Sequence, residues 1–228
     1  TFDKFNPYPE EFNRCSISSM ADIHLCPTIS SAHNVMRHNN SNEGVHVVGN
    51  TVLDNLVDYK VQSENFILVT MHRRENHKMI QDWFIQINHL ATSTPDLEFI
   101  LPLHPNPNVR KYEYLLTDVT VIDPLPYHEC IDLVSRCKFL ITDSGGLQEE
   151  SSFFGKRCIV CRKVSERVEG IGDFAFMCPT PEELPKLYGE VLDACDIKDI
   201  VTLQCPYGDG QAAEKILEIL EDTECLRN

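Results

Sequence analysis

The feature that most constrains the fold of this sequence is a regular alternation of short apolar segments and longer amphipathic segments from Asn65 onward. Short runs rich in Val, Ile, Leu and Phe predict buried strands, and the periodic segments between them predict helices. This alternation predicts a doubly wound parallel sheet of the Rossmann-like α/β class, covered by helices. The predicted strands are 66–71, 97–103, 119–122, 138–142 and 157–161, and the predicted helices are 79–93, 108–116, 127–136 and 146–154.

The segments that flank this alternation predict fewer elements. The first contains a helix from Pro9 to about Met20, a strand over 22–26, a helix N-capped by Thr28, a strand over 45–48 and a helix to about Tyr59. These are too few to close a sheet, so we predict that residues 1–60 are the end of an upstream Rossmann-like domain plus a linker. We predict one complete domain over residues 61–204, ending in a strand at 174–177 and a helix at 181–193. Residues 205–228 are predicted to form a connector and a helix at 211–221 that returns toward the upstream domain.

Charge and hydropathy exclude several classes of partner. The chain has 35 acidic and 20 basic residues and a net charge of −15. This balance argues against general affinity for nucleic acid or for an acidic membrane surface, since both require a positive field. No apolar run approaches the roughly 20 residues needed to cross a bilayer. Any anionic ligand must therefore be held by a local basic pocket.

Ten scattered cysteines do not resemble the disulfide framework of a small secreted protein. We therefore expect a reducing, cytoplasmic environment. The one close pair is Cys158 and Cys161, in an apolar strand without a second such pair, and core packing is the favoured interpretation over zinc binding. We predict no metal site. The chain begins at Thr1 without an initiator Met or a leader, so we expect a further segment upstream.

Polar residues follow four of the predicted strands. In an open parallel sheet, ligands bind beyond the carboxyl ends of the strands. These residues are therefore expected on one edge of the sheet. They are His72-Arg73-Arg74 after the first strand, His104 after the second, Asp143-Ser144-Gly145-Gly146 after the fourth, and Arg162 with Ser165-Glu166-Arg167 after the fifth.

The Ser144-Gly145-Gly146 turn suits a phosphate or diphosphate, because glycine lets a ligand approach the backbone and the following helix presents unpaired N–H groups. The alternative is a turn that uses glycine for its geometry alone. Glu150, one turn further along, has the chemistry to accept hydrogen bonds from a ribose diol. Taken alone, it is equally a surface carboxylate.

The segment His72-Arg73-Arg74 suits a diphosphate as well, because guanidinium groups match phosphoryl oxygens in a bidentate way. The alternative is a solvated run of surface charge. Histidine ordinarily titrates at about pH 6.5, which makes His72 a candidate for proton transfer. For His104, a structural role and a functional role remain equally open.

Several motifs, taken in order, resemble the non-hydrolysing UDP-N-acetylglucosamine 2-epimerases. Several ordered motifs are far more specific than one, and they span essentially the whole chain. They are Pro7-Tyr8-Pro9-Glu10-Glu11-Phe12-Asn13-Arg14, Gly49-Asn50-Thr51-Val52, Val69-Thr70-Met71-His72-Arg73-Arg74-Glu75-Asn76, Pro102-Leu103-His104-Pro105-Asn106-Pro107-Asn108-Val109-Arg110, Thr142-Asp143-Ser144-Gly145-Gly146-Leu147-Gln148-Glu149-Glu150 and Pro206-Tyr207-Gly208-Asp209-Gly210.

This resemblance implies a two-domain enzyme of the glycosyltransferase-B type, of which this chain is mainly the C-terminal, nucleotide-sugar-binding half. The family inverts carbon 2 of UDP-N-acetylglucosamine to give UDP-N-acetylmannosamine, or acts on a related UDP-2-acetamido sugar, by eliminating UDP and adding it back. The resemblance implies no nicotinamide or other cofactor. It also implies a homodimer or pairing with an N-terminal half, and a second UDP-N-acetylglucosamine as an effector.

The resemblance also assigns roles to individual residues. It implies that His72 and Glu10 are catalytic, and that Glu150 binds the ribose. The family's further catalytic acidic residues lie upstream of the segment that matches Thr1, and Cys130 replaces a phenylalanine near the uracil. The remaining implied contacts are Ser144, Gly145 and Gly146 with the diphosphate, Arg167 with UDP, and Arg73 with His104 along the cleft, beside the effector.

Two other functions fit the same sequence features. A UDP-sugar-dependent glycosyltransferase of similar architecture also holds a nucleotide diphosphate at this edge of the sheet. A non-catalytic UDP-binding subunit or module would use the same residues to bind UDP and would catalyse no reaction. Epimerisation, transfer of sugar to an acceptor, and binding without turnover distinguish the three.

Overall fold

The computed structural model describes residues 3–5, 8–195 and 204–227, which fall into two compact units. The first unit combines both ends of the chain, Thr1–Val57 and Pro206–Asn228, and the second is Asp58–Cys205. Strands β1–β8 and helices α1–α8 are numbered in chain order. The assignment of residues 1–60 to an upstream domain stays a prediction.

The first unit is built around two short parallel strands, in which Leu25 pairs with His46. Thr28 caps the second helix as predicted, because its Oγ1 accepts a hydrogen bond from Ser31 N at 3.0 Å. The elements of this unit are α1 Glu10–Ser18, β1 His24–Cys26, α2 Ile29–Asn39, β2 Val45–Val47, a 3₁₀ helix Thr51–Leu56 and α8 Ala212–Arg227.

The C-terminal segment closes onto the first 57 residues through its backbone. Asn50 N donates to Tyr207 O at 2.8 Å, and a Cβ on Gly49 would lie 3.3 Å from the Cα of Gly208. The Asp54 carboxylate accepts hydrogen bonds from the first N–H groups of α8, at 3.0 and 2.7 Å. A carboxylate is favourable at this position, because the helix N-terminus carries partial positive charge.

The second unit confirms the predicted parallel sheet. Among its described residues, six strands form one sheet and are all parallel, in the order β5-β4-β3-β6-β7-β8. The strands are β3 Phe66–Thr70, β4 Glu98–Pro102, β5 Thr120–Ile122, β6 Phe139–Thr142, β7 Cys158–Val160 and β8 Ala175–Met177. The helices are α3 Ile80–Ser93, α4 Pro107–Arg110, α5 Tyr127–Arg136, α6 Gly145–Phe153 and α7 Leu184–Cys195.

One face of this sheet packs on α3 and α7. Trp83 and Phe84 of α3 are fully buried together with Phe99 of β4. The Phe99 ring stacks on Tyr188 of α7 with a centroid distance of 5.9 Å. Burial of each large apolar side chain contributes about 1.5–3 kcal/mol. This core packs against the strands whose carboxyl ends form the edge discussed below.

Two predicted helices adopt a tighter winding instead. The helix predicted to reach Tyr59 is the 3₁₀ helix Thr51–Leu56, whose buried Leu53 and Leu56 are three residues apart. The helix predicted over 108–116 divides into α4 and a 3₁₀ helix Glu113–Leu115. Its core-facing residues Val109, Tyr112 and Leu115 recur every third position, which is the repeat of a 3₁₀ turn.

The order of the strands reverses between β3 and β6. The crossover from β3 leads through α3 to β4, whereas the crossover from β6 leads through α6 to β7 on the opposite side. At this switch point Thr70 pairs in register with Thr142, and their hydroxyl oxygens are 2.6 Å apart. Ligands of open α/β sheets bind outside the strand ends at such a point. Within the described ranges, no helix is both long enough and apolar enough to cross a bilayer.

Candidate functional site

Asp143, directly after β6, organises the loop that follows β3. Its carboxylate is fully buried and accepts hydrogen bonds from His72 N at 3.0 and 3.1 Å and from Arg73 N at 2.8 Å. Asn76 Nδ2 donates to it at 3.1 Å, and His72 Nδ1 lies 3.0 Å from Oδ1. The backbone and the imidazole of His72 are therefore fixed by one side chain.

The contacts of Asp143 also set the tautomer of His72. Burial alone raises the pKa of Asp143, but the hydrogen bonds from His72 and from the N–H of Arg73 outweigh it and lower the pKa below its usual value. An ionised carboxylate at Nδ1 requires the proton on that nitrogen. Nε2 of His72, whose side chain is 41% exposed, is then the atom available for proton exchange.

His104 differs from His72 although their rings stack, with centroids 6.0 Å apart. His104 Nδ1 accepts a hydrogen bond from Asn106 N at 3.2 Å, which shapes the loop after β4. Burial lowers the pKa of His104, and His72 and His77 lower it further. His104 is thus a neutral histidine with both a structural contact and a place beside His72.

The glycine turn stands at the N-terminus of α6. Ser144 Oγ accepts from Leu147 N at 3.5 Å and so caps this helix. A Cβ on Gly145 would lie 3.2 Å from Glu166 Oε1 and 3.3 Å from Arg73 Nη2, so these side chains pack directly on the glycine. The unpaired N–H groups of a helix N-terminus favour an anion here.

A cluster of arginines surrounds Glu166 above this turn. Arg162 Nη1 lies 3.0 Å from Glu166 Oε2 and Arg73 Nη2 lies 3.7 Å from Oε1, while Arg167 Nη1 also pairs with Oε1. Arg167 Nε donates to Glu149 Oε1 at 2.7 Å. The guanidinium groups thus converge on one carboxylate beside the N-terminus of α6, which is the chemical environment that a phosphate prefers.

A cavity of about 480 Å³ opens at the switch point. Its walls come from the ends of β3 and β4, from α5 and from the start of α6. Of the sequence-predicted site residues, Arg73, Gly145 and Arg167 lie outside this lining and meet at the N-terminus of α6, and Glu10 lies in α1 of the first unit. The predicted residues that line the cavity are His72, His104, Ser144, Gly146 and Glu150.

Glu150 is buried at the wall of this cavity, with 5% of its surface exposed. Tyr127 Oη donates to Glu150 Oε1 at 2.7 Å. Burial raises the pKa of Glu150, although the bond from Tyr127 acts in the opposite direction. Burial and the negative charge of Glu150 raise the pKa of Cys130 to about 11, so that this residue presents a neutral thiol to the cavity.

Sequence reasoning did not assign a role to Asp143 or Tyr127. The sequence signal for Asp143 was its position directly after a predicted strand. In the sheet, that strand pairs with β3, after which His72 follows. Tyr127 carried no such signal, because its contact with Glu150 joins two helices. Cys158 and Cys161 are fully buried, in agreement with core packing. Across ranges 3–5, 8–195 and 204–227, no three His, Cys, Asp or Glu side chains converge as metal ligands.

Comparison with known proteins shows which family the chain belongs to. The model of the UDP-N-acetylglucosamine 2-epimerase family matches residues 1–221. The chain belongs to the UDP-N-acetylglucosamine 2-epimerase family. This confirms the resemblance inferred from the ordered motifs.

Individual members of the UDP-N-acetylglucosamine 2-epimerase family align over almost all of this chain. The chain is 35% identical to the Campylobacter jejuni enzyme, covering 96% of this chain and 66% of that protein. It is 32% identical to the Bacillus subtilis enzyme, covering 96% of this chain and 63% of that protein. The chain thus spans just under two thirds of the length of these curated relatives.

A solved structure of the same family confirms the expected fold class, a part of the glycosyltransferase-B-type architecture. The Neisseria meningitidis UDP-GlcNAc 2-epimerase bound to UDP-GlcNAc superposes with a TM-score of 0.82 at 30% identity. The match covers 97% of this chain and 67% of that chain.

Proposed function

We propose that this chain carries the UDP-binding half of a UDP-N-acetylglucosamine 2-epimerase. Its substrate would be UDP-N-acetylglucosamine, or a related UDP-2-acetamido sugar, with UDP eliminated and added back. The observation that carries the proposal is the cavity at the β3/β6 switch point, where the His72–Asp143 pair adjoins the N-terminus of α6 and the buried Glu150.

Departure of UDP requires groups that stabilise charge on the diphosphate. The N-terminus of α6 and the arginine cluster of Arg73, Arg162 and Arg167 supply them, because both favour anions. Interactions that strengthen as the diphosphate leaves lower the barrier to its departure. Glu166 pairs with Arg162 and Arg167 in this positive region, and we propose that the diphosphate displaces it.

Inversion at carbon 2 requires removal of a proton from one face of the sugar and its return to the other. His72 is the proposed proton carrier of this chain, since Asp143 fixes its Nδ1 proton and leaves Nε2 for exchange. We propose Glu10 and acidic groups supplied by an upstream domain as the remaining carriers. A correctly placed general acid or base contributes about 10²–10⁴-fold to the rate.

Binding is tested by titrating the chain with UDP in a calorimeter. Glu150→Ala and Arg167→Ala should each weaken UDP binding about 10- to 100-fold, because each removes a charged hydrogen-bonding partner. Arg110→Ala is the matched control, since its guanidinium pairs at 3.3 Å with the exposed Asp123 outside the cavity lining. The assignment of the cavity as a UDP site is wrong if the wild-type chain fails to bind UDP.

Catalysis is tested by incubating the chain with UDP-N-acetylglucosamine, with and without the N-terminal half of a family member. We expect UDP-N-acetylmannosamine only when that half is supplied. Efficient epimerisation by the chain alone would contradict the need for upstream groups. Transfer of sugar to an acceptor would favour a glycosyltransferase, and UDP binding without any product would favour a non-catalytic module.

Three further features accompany this proposal. We propose a homodimer or pairing with an N-terminal half, which light scattering of the chain with and without that half would measure. We propose a second UDP-N-acetylglucosamine as an effector beside Arg73 and His104, detectable as a second binding event in the same titrations. We also propose a reducing, cytoplasmic location, because the scattered cysteines include Cys158 and Cys161, which are fully buried in the core of the second unit.

A further inference from the structure

The hydrogen bond between Tyr127 and Glu150 joins two helices at the wall of the cavity. Tyr127 is the first residue of α5, and Glu150 lies in the second turn of α6. The phenol oxygen is 2.7 Å from Glu150 Oε1, and both side chains line the cavity. Tyr127 is 52% exposed, whereas Glu150 is almost completely buried. The tyrosine therefore reaches the carboxylate from the open side.

This contact leaves half of the carboxylate for another partner. A carboxylate has two acceptor oxygens, and Tyr127 occupies one of them. In the described part of the chain, no side chain donates to Oε2 of Glu150. Oε2 lies 3.9 Å from the position of a Cβ on Gly146, so it faces the glycine turn. A buried carboxylate with an unused acceptor is costly unless a ligand supplies a donor.

The phenol is suited to hold this geometry. Burial raises the pKa of Tyr127, and the bond and charge of Glu150 raise it further, so the hydroxyl stays protonated at neutral pH and acts as a donor. A glutamate side chain has several rotatable bonds, and a fixed donor restricts them. The position of the acceptor oxygens then depends on the position of α5.

We propose that Tyr127 is a positioning residue that directs Glu150 toward the vicinal diol of the ligand's ribose. The site thereby prefers a ribonucleoside diphosphate over its 2′-deoxy counterpart. This inference rests on the proposed function, since it assumes that a nucleotide occupies the cavity. It adds a determinant of sugar specificity that lies on α5, outside the glycine turn and the arginine cluster.

Calorimetry with two ligands, UDP and 2′-deoxy-UDP, tests this role in the 228-residue chain. The wild-type chain should bind UDP about 10- to 100-fold more tightly, because a ribose hydroxyl then bonds a charged acceptor. In Tyr127→Phe this ratio should fall to about threefold or less, chiefly through weaker UDP binding. The affinity for 2′-deoxy-UDP should change less than about twofold.

Two further variants separate positioning from a general structural effect. Tyr188→Phe also removes a phenol hydrogen bond, since Tyr188 Oη lies 2.9 Å from Thr94 Oγ1 in the core between the sheet and helices α3 and α7. This variant should leave the ratio of the two affinities at its wild-type value. In a Glu150→Gln background, Tyr127→Phe should have little further effect on the ratio, since the two residues act through one contact.

The outcomes distinguish failure of the proposed function from failure of the role of Tyr127. Failure of the wild-type chain to bind either nucleotide overturns the proposed function, and the inference falls with it. Binding of UDP with an unchanged ratio in Tyr127→Phe overturns the inference alone. An equal loss of affinity for both nucleotides in Tyr127→Phe shows that Tyr127 only supports the fold. Equal affinities of the wild-type chain for UDP and 2′-deoxy-UDP show that Glu150 does not bind the ribose diol. Either of these results also overturns the inference.

Discussion

Replacement of Asp143 by asparagine is the most informative perturbation of this site, because the side chain keeps its size and loses its charge. The carboxylate accepts hydrogen bonds from two backbone N–H groups, from Asn76 and from the His72 ring. An asparagine keeps one acceptor oxygen and turns an NH₂ group toward the remaining donors. With the amide oxygen at the Oδ2 position, the NH₂ group faces His72 Nδ1, which must then give up its proton in order to accept.

The cost of Asp143→Asn follows from these contacts. A hydrogen bond to a charged group contributes about 1.5–3 kcal/mol, against about 0.5–1.5 kcal/mol for a neutral one, and the three bonds to Oδ2 survive only in neutral form. We therefore expect the free energy of unfolding to fall by about 3–4 kcal/mol. In an enzyme completed by an N-terminal half, loss of the Nδ1 tautomer of His72 should slow epimerisation by about 10²–10⁴-fold.

The pH dependence of this effect has a defined sign. Because the pKa of Asp143 is lower in the folded chain than in the unfolded chain, its ionised form stabilises the fold above about pH 4. This contribution is lost as the pH falls through the folded-state pKa. The difference in stability between the wild-type chain and Asp143→Asn should therefore shrink at low pH.

Urea denaturation at several pH values, together with ¹⁵N spectra of the histidine rings, measures these effects. Asp123→Asn is the control, since Asp123 is 95% exposed and its loss should leave stability and the His72 tautomer unchanged. The reasoning is refuted if Asp143→Asn unfolds at the wild-type urea concentration and retains the Nδ1 proton of His72.

Three other perturbations follow from the same structure. His72→Asn in the completed enzyme should slow turnover by about 10²–10⁴-fold with nearly unchanged UDP affinity, and a wild-type rate would remove His72 from proton transfer. Glu166→Gln should tighten UDP binding about 3- to 10-fold in calorimetry, because the carboxylate no longer competes for Arg162 and Arg167; weaker binding would show that Glu166 supports the arginines instead. Gly189→Ala in α7 should raise the free energy of unfolding by about 0.5–1 kcal/mol in urea titrations, since in the described structure a Cβ there meets nothing within 4 Å; destabilisation would contradict that space.

The sequence was sufficient to predict the sheet and the edge that carries the site. Apolar runs such as Phe66–Thr70 and Phe139–Thr142 predict buried parallel strands, because they alternate along the sequence with segments of helical periodicity. Strand ends then indicated where polar residues collect. The 3₁₀ helix Thr51–Leu56 was not foreseen, because a repeat of three residues differs little from a helical repeat over so short a segment.

The contacts within the site were less accessible from sequence. The distance between His72 and Asp143 depends on the lateral pairing of β3 with β6, which are separated by two other strands along the chain. The bond from Tyr127 to Glu150 depends on how two helices pack. Neither contact leaves a pattern among neighbouring residues of the sequence. Residue types therefore indicated the candidate residues but not the residues that they contact.

The backbone crossing of Gly49 and Gly208 has a consequence for how the chain is made. The Asp54 carboxylate caps a helix whose first residue is Ala212, so the first unit contains contacts between residues that emerge from the ribosome far apart in time. The segment Asp58–Cys205 is translated entirely between them. Within this sequence, the residues up to Val57 are therefore translated before the second unit, but they gain these contacts only after Ala212 has emerged.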